Sequence, residues 1–221
     1  MQTIKKLSSL LLMLTIASLS YGQQKQHFDL FKMSTEGQLV VVHRTMKPIK
    51  DGRYQGVQLS MDSSEGLAWI KNASFKAGTI EFDVRGKELF QKSFVGVAFH
   101  GQNDSTFDAI YFRPFNFFST DSVRKIHAVQ YISHPLFTWK KLRDNPATNS
   151  KYEKVVANPP DPNGWFHVKV VIMAGFVKVY INDRADPELI VKQLSTFGTG
   201  KIGLFTGDGA GGDFANLVVE Q

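Results

Sequence analysis

Four side chains with polar chemistry stand on three short runs of alternating sequence. His100 ends Phe94 to His100, Tyr111 and Arg113 lie in Ala109 to Phe115, and Gln130 lies in His127 to Ser133. Successive residues of an extended strand face opposite sides. If Ile110 and Phe112 point into a core, Tyr111 and Arg113 leave it together. If Val129 and Tyr131 point inward, Gln130 leaves with Ala128 and Ile132. The loop Phe117 to Lys125 joins the two runs as antiparallel neighbours, so Tyr111, Arg113 and Gln130 are expected on one face. His100 joins them if Val97 and Phe99 are core. A hydroxyphenyl ring, a guanidinium, an amide and an imidazole suit a sugar, whose C–H face needs a flat apolar wall and whose hydroxyls need fixed donors and acceptors. The plainer alternative is that Arg113 pairs with a surface carboxylate and His100 merely closes a strand.

The segment after Ser133 adds His134, Trp139 and Arg143 to this substrate-binding group, with Trp139 as a stacking platform or a packing lid. Catalysis of glycoside hydrolysis usually needs two carboxyl groups, roughly 5 Å apart for retention and about 6.5–9.5 Å for inversion. Glu81 and Asp83 share one strand face, but Arg85 and Gly86 stand where a third acid would extend the pattern. A solvated, charge-balanced face is the better reading of that pair. The proton carrier is therefore expected among His100, Asp104 and Asp208, with His134 as a further choice. Asp208 and Asp213 bracket a Gly-rich turn and could hold Ca²⁺, a cation that takes six to eight oxygens; no other cofactor is implied. Neither a P-loop, a dinucleotide fingerprint, a zinc-binding helix motif nor a Gly-x-Ser-x-Gly elbow is present.

The elements that must position these groups are strands. Thr79 to Arg85 alternates cleanly, with Ile80, Phe82 and Val84 on one side and Glu81, Asp83 and Arg85 on the other. About ten more runs read likewise: Gln38 to His43, Gly56 to Met61, Leu67 to Lys71, the three already named, Trp165 to Met173, Phe176 to Ile181, Lys201 to Phe205 and Phe214 to Val219. Turn signals such as Asp51-Gly52, Ala174-Gly175 and Asn182-Asp183 separate them. No later stretch keeps a helical period, which points to an all-β sandwich or barrel. Trp165 opens a strand and reads as core. Leu142 to Asn163 is the longest irregular stretch and reads as a functional rim or a flap.

Lys5 and Lys6 precede the apolar run Leu7 to Leu19, and Ser20 and Gly22 are small residues before a Gln-rich start. This reads as a secretory signal over residues 1–22, too short to span a membrane, leaving residues 23–221 as one domain. Export to the periplasm or the exterior, without membrane insertion, is the expected fate. Cysteine is absent from the sequence, which removes disulfides, thiolate metal sites and the lipidated cysteine of a lipoprotein. The net charge of +6 comes with acids and bases interspersed, not as a basic block, and so argues against nucleic acid as a partner. Oligomeric state is open.

Six segments then occur in a telling order: Phe75 to Arg85, Ile110 to Arg113, Ala128 to Ile132, Trp165 to Val170, Val177 to Asn182 and Gly200 to Leu204. Together they resemble the concanavalin A-like lectin/glucanase superfamily, and within it the 3-keto-disaccharide hydrolase-like domains, over residues 28 to 219. The resemblance implies a jelly-roll β-sandwich of two antiparallel sheets and a carbohydrate as ligand or substrate. It also implies Arg113 and Gln130 as ligand-facing residues. The Asn-Ser-Gly that often opens the arginine-bearing strand in that family is missing, so hydrolysis and non-catalytic glycan binding both stay open.

Overall fold

The computed structural model describes residues 24–221, and the expected leader lies outside the described residues. In chain order the first elements are β1 (Lys25–Phe28), α1 (Leu30–Thr35), β2 (Leu39–Val42), β3 (Met46–Asp51), β4 (Tyr54–Leu59) and β5 (Gly66–Phe75). There follow β6 (Gly78–Arg85), β7 (Val95–Asn103), β8 (Thr106–Phe112), α2 (Ser122–Lys125), β9 (Val129–Ser133), α3 (Trp139–Asp144) and β10 (Glu153–Lys154). The chain ends with β11 (Phe166–Met173), β12 (Phe176–Ile181), β13 (Leu189–Lys192), β14 (Gly200–Thr206) and β15 (Gly212–Glu220).

All pairings are antiparallel. One sheet runs β13-β12-β11-β6-β15-β4-β3, with β1 also on β15, and the other runs β10-β9-β8-β7-β14-β5-β2. The sheets face each other over a core that includes the fully buried Phe82, Phe99, Phe112, Phe166 and Phe214. Phe112 of one sheet meets Phe166 of the other edge-to-face, with centroids 5.3 Å apart. Each buried aromatic contributes roughly 1.5–3 kcal/mol by leaving water, and this core stabilises the chain without any cysteine.

The eleven expected strands are all present. The four others, β1, β3, β10 and β13, lie at sheet margins, where one flank has no partner and the sequence need not alternate. Pro48 in β3 is a residue such a margin tolerates, because it has no N–H to give a neighbour. At the β11–β12 hairpin both Ala174 and Gly175 have positive φ, as the tight turn between Met173 and Phe176 demands. Trp165 is not core. It stacks on Tyr54 at 4.5 Å on the outer side of the eight-stranded sheet and donates to Asp51 at 3.0 Å.

The outer side of the seven-stranded sheet is also apolar. Trp69, Phe107, Ala109, Tyr111, Ile132 and Phe205 form a second buried cluster there. Solvent does not cover this face. The segments before β5 and β7, the loops after β8 and β14, and helix α3 enclose it instead, and what they leave open is a cleft.

Candidate functional site

The cleft has a volume of about 480 Å³. Its floor is Tyr111, Ile132 and Phe205, and its walls include Phe90, Phe94, Phe115 and Trp139. Strand register explains its polar end. Tyr111 of β8 lies opposite Gln130 of β9, and Gln130 lies opposite Glu153 of β10, so the three form one row across the sheet. Arg113, just past β8, reaches back along this row. Its guanidinium donates to the Tyr111 hydroxyl at 2.6 Å, to the His127 carbonyl at 2.9 Å and to Gln130 Oε1. Tyr111 also donates to Gln130 Oε1 at 2.8 Å. Glu153 receives a two-pronged contact from Arg143, at 2.7 to 3.1 Å, and lies 2.8 Å from His127 Nδ1 and 3.8 Å from Arg113.

Burial lowers the pKa of Arg113 and raises that of Tyr111, so the phenol stays a neutral donor. Burial also lowers His127, against the pull of Glu153. Arg113 lines the cleft at 5 % exposure, whereas Gln130 is fully buried and does not. Gln130 is therefore a support that fixes Tyr111 and Arg113, where the sequence suggested a direct ligand contact. Asn116 lines the cleft, donates to the His127 carbonyl at 3.3 Å and keeps a buried Oδ1 with no partner among the described residues.

Across the floor stand two carboxyl groups. Glu65 precedes β5 and Asp208 follows β14, strands that are hydrogen-bonded neighbours. Arg44 holds both loops. It donates to the carbonyls of Ser63 at 3.2 Å, Ser64 at 2.7 Å, Gly207 at 2.8 Å and Ala210 at 3.0 Å. Gly66 makes room for it, since a Cβ there would sit 2.5 Å from the Arg44 side chain. Asp208 Oδ1 accepts from the Ser64 amide at 2.6 Å, tying the loops together again. Burial, with Asp208 adding and Arg44 opposing, pushes the Glu65 carboxyl up to about 7. His134 Nε2 is 3.3 Å from Glu65 Oε1, and its ring stacks on Phe107 at 5.1 Å. Burial, then Lys141, pushes that imidazole down.

Of the residues singled out by sequence, Tyr111, Arg113, Trp139, Arg143 and Asp208 line the cleft. His134 flanks it through Glu65. His100 stands apart. Its positive φ and the register shift between Phe99 and Asn103 break the strand alternation. The ring turns onto Phe75 and is fixed between Asp108 at 3.0 Å and the Lys76 carbonyl at 2.7 Å. Asp104 is also elsewhere, accepting from the Trp69 indole at 2.8 Å. Neither residue borders the cleft, so neither can act on a ligand there. Glu81 and Asp83 lie on the other sheet in a balanced network, with His167 2.9 Å from Asp83 and Lys169 3.7 Å from Glu81.

Asp208 and Asp213, the expected Ca²⁺ ligands, already have protein partners in this structure. Both Asp213 oxygens are occupied, by Arg85 at 2.7 and 2.9 Å and by Gln58 at 2.7 Å, while Asp208 bonds the Ser64 amide. Among the described residues no group of three or more His, Cys, Asp or Glu is arranged to hold a metal ion. No helix among them is long and apolar enough to cross a membrane.

No protein-family model matches the chain, and no curated protein matches it. Solved structures do. A protein of unknown function with a galectin-like fold from Bacillus subtilis superposes with a TM-score of 0.58 at 13% identity, over 89% of this chain and 97% of that one. The carbohydrate-binding module CBM66 from Bacillus subtilis gives 0.53 at 18% identity, over 83% and 92%. The exoplasmic/lumenal domain of VIP36, solved with Ca²⁺ and Man3GlcNAc bound, gives 0.52 at 14% identity, over 84% and 83%. These likenesses are of fold, and the fold is the concanavalin A-like jelly-roll sandwich of two antiparallel sheets.

Proposed function

We propose that this chain is an exported carbohydrate-binding protein whose ligand lies in the cleft over the seven-stranded sheet. One observation carries the reading: aromatic rings and fixed polar groups line the same 480 Å³ hollow. Tyr111, Phe205 and Trp139 offer flat apolar surface, and Arg113, Asn116 and Arg143 offer polar groups whose side chains are fixed by hydrogen bonds of their own. Sugars need both at once. The module CBM66 and VIP36 share the fold and carry carbohydrate in their names or bound states, which supports the reading without extending their ligands to this chain.

Trp139 provides the test. It is 45% exposed and opens α3, so Trp139→Ala should leave stability within about 0.5 kcal/mol of the parent. Retention of the full chain on immobilised oligosaccharides should weaken about ten-fold, the loss of ~1.4 kcal/mol expected for an aromatic anchor. Undiminished retention by the variant would remove the cleft from the account.

Hydrolysis is the second reading, favoured by Glu65. A carboxyl group with a pKa of about 7 can give up a proton to a leaving oxygen at neutral pH, and a second carboxyl group, Asp208, lines the same cleft. In that reading Glu65 is the acid and Asp208 the base or the charge that supports the reaction, and the resemblance to 3-keto-disaccharide hydrolase-like domains points to the same chemistry.

A further inference from the structure

Carbohydrate binding leaves the charge at one end of the cleft unexplained. Arg113, Arg124 and Arg143 all line it, yet Glu153 is the carboxylate that Arg113 and Arg143 share. Arg143 spends Nε and Nη2 on Glu153, and its Nη1 has no partner among the described residues. Arg124 makes no ion pair among them. Its contacts are a 3.4 Å approach to the Phe115 carbonyl and the Phe90 ring 4.2 Å below its guanidinium, and its buried Nε has no partner. Glu65 and Asp208 do not balance this end. They hang from β5 and β14, and β14 is two strand positions, roughly 10 Å, from β8. At this end of the cleft three guanidiniums therefore have one carboxylate, Glu153, between them, while Glu65 and Asp208 stand across the floor.

Resting on the carbohydrate reading, we propose that the ligand is an acidic saccharide whose anionic substituent, a carboxylate or a sulfate ester, is held by Arg124 and Arg143. Guanidinium N–H groups donate charge-assisted hydrogen bonds to either group, and Arg143 has its Nη1 left for this after Glu153 takes Nε and Nη2. Arg124 lies over the Phe90 ring and lines the cleft.

The test uses the full chain and calorimetric titration at low salt with an oligogalacturonide, its carboxyl-reduced neutral counterpart and a sulfated galacto-oligosaccharide. At least one acidic ligand should bind about ten-fold or more tightly than the neutral one, and added salt should narrow the gap. The uronate and sulfate arms tell which anion is taken. Arg124→Ala should erase the preference while neutral binding persists, and Arg124→Lys should restore part of it. Neutral binding equal to or tighter than acidic binding overturns the acidic ligand and leaves the carbohydrate reading standing. Equal weakening of both ligands by Arg124→Ala also overturns it. Failure of every saccharide to bind overturns both.

Discussion

Arg113→Ala is expected to cost the folded protein about 3–5 kcal/mol, because it removes one partner from a buried charged network and strands the others. The Gln130 and Tyr111 side chains lose the cation that joins them, and the His127 carbonyl loses a donor. Chemical denaturation should show the loss as a lower midpoint with an unchanged slope. Arg113→Lys should rescue little, since a single ammonium cannot reach the hydroxyl, the amide and the carbonyl from one rigid plane. Full stability in Arg113→Ala would mean that the row Tyr111, Gln130 and Glu153 is held by the strands alone.

Glu65→Gln is expected to separate stability from activity. The carboxyl of Glu65 is raised from 4.5 to about 7, so the folded chain holds a proton that the unfolded chain has released over that window. Stability thus falls as pH rises from about 4.5 to about 7, and the penalty is complete above it. The amide carries no such penalty. At pH 8 the variant should be more stable than the parent by about 2 kcal/mol, a figure discounted for the 30% of the side chain that meets solvent. At pH 4 the two should melt together. Under the hydrolytic reading the same change removes the proton donor, so turnover should fall by about 10²–10⁴-fold. The parent's rate should decline as pH rises through about 7. A variant less stable than the parent at pH 8 would contradict a buried carboxyl whose ionisation is disfavoured in the folded chain.

The strands were readable because the two inner faces are continuous and apolar, so period-two alternation survives along β4 to β9 and β11 to β15 wherever a strand has partners on both flanks. The same alternation puts Tyr111 on the outer face, where its side chain bonds Gln130. Alternation fails where the backbone leaves the pleat, and His100 is the instance: a single positive φ carried it to the opposite side. Glu153 and Glu65 were invisible for other reasons. Glu153 sits in a two-residue strand inside an irregular segment, too short for any period, and its partner Gln130 is paired only by the fold. Glu65 gains its high pKa from burial under loops and from Asp208, far away in sequence, against the opposing charge of Arg44. Arg44 itself reads as a surface arginine until its carbonyl partners, more than 160 residues downstream, come into contact.

The location of the ligand is the claim on which the rest stands, and a crystal structure of the full chain with a bound oligosaccharide tests it most directly. The account predicts sugar density over Tyr111 and Phe205, with a ring against Trp139 and polar contacts to Arg113 and Asn116. Sugar bound instead on the outer side of the eight-stranded sheet, around Tyr54 and Trp165, with the cleft filled only by water, would contradict it.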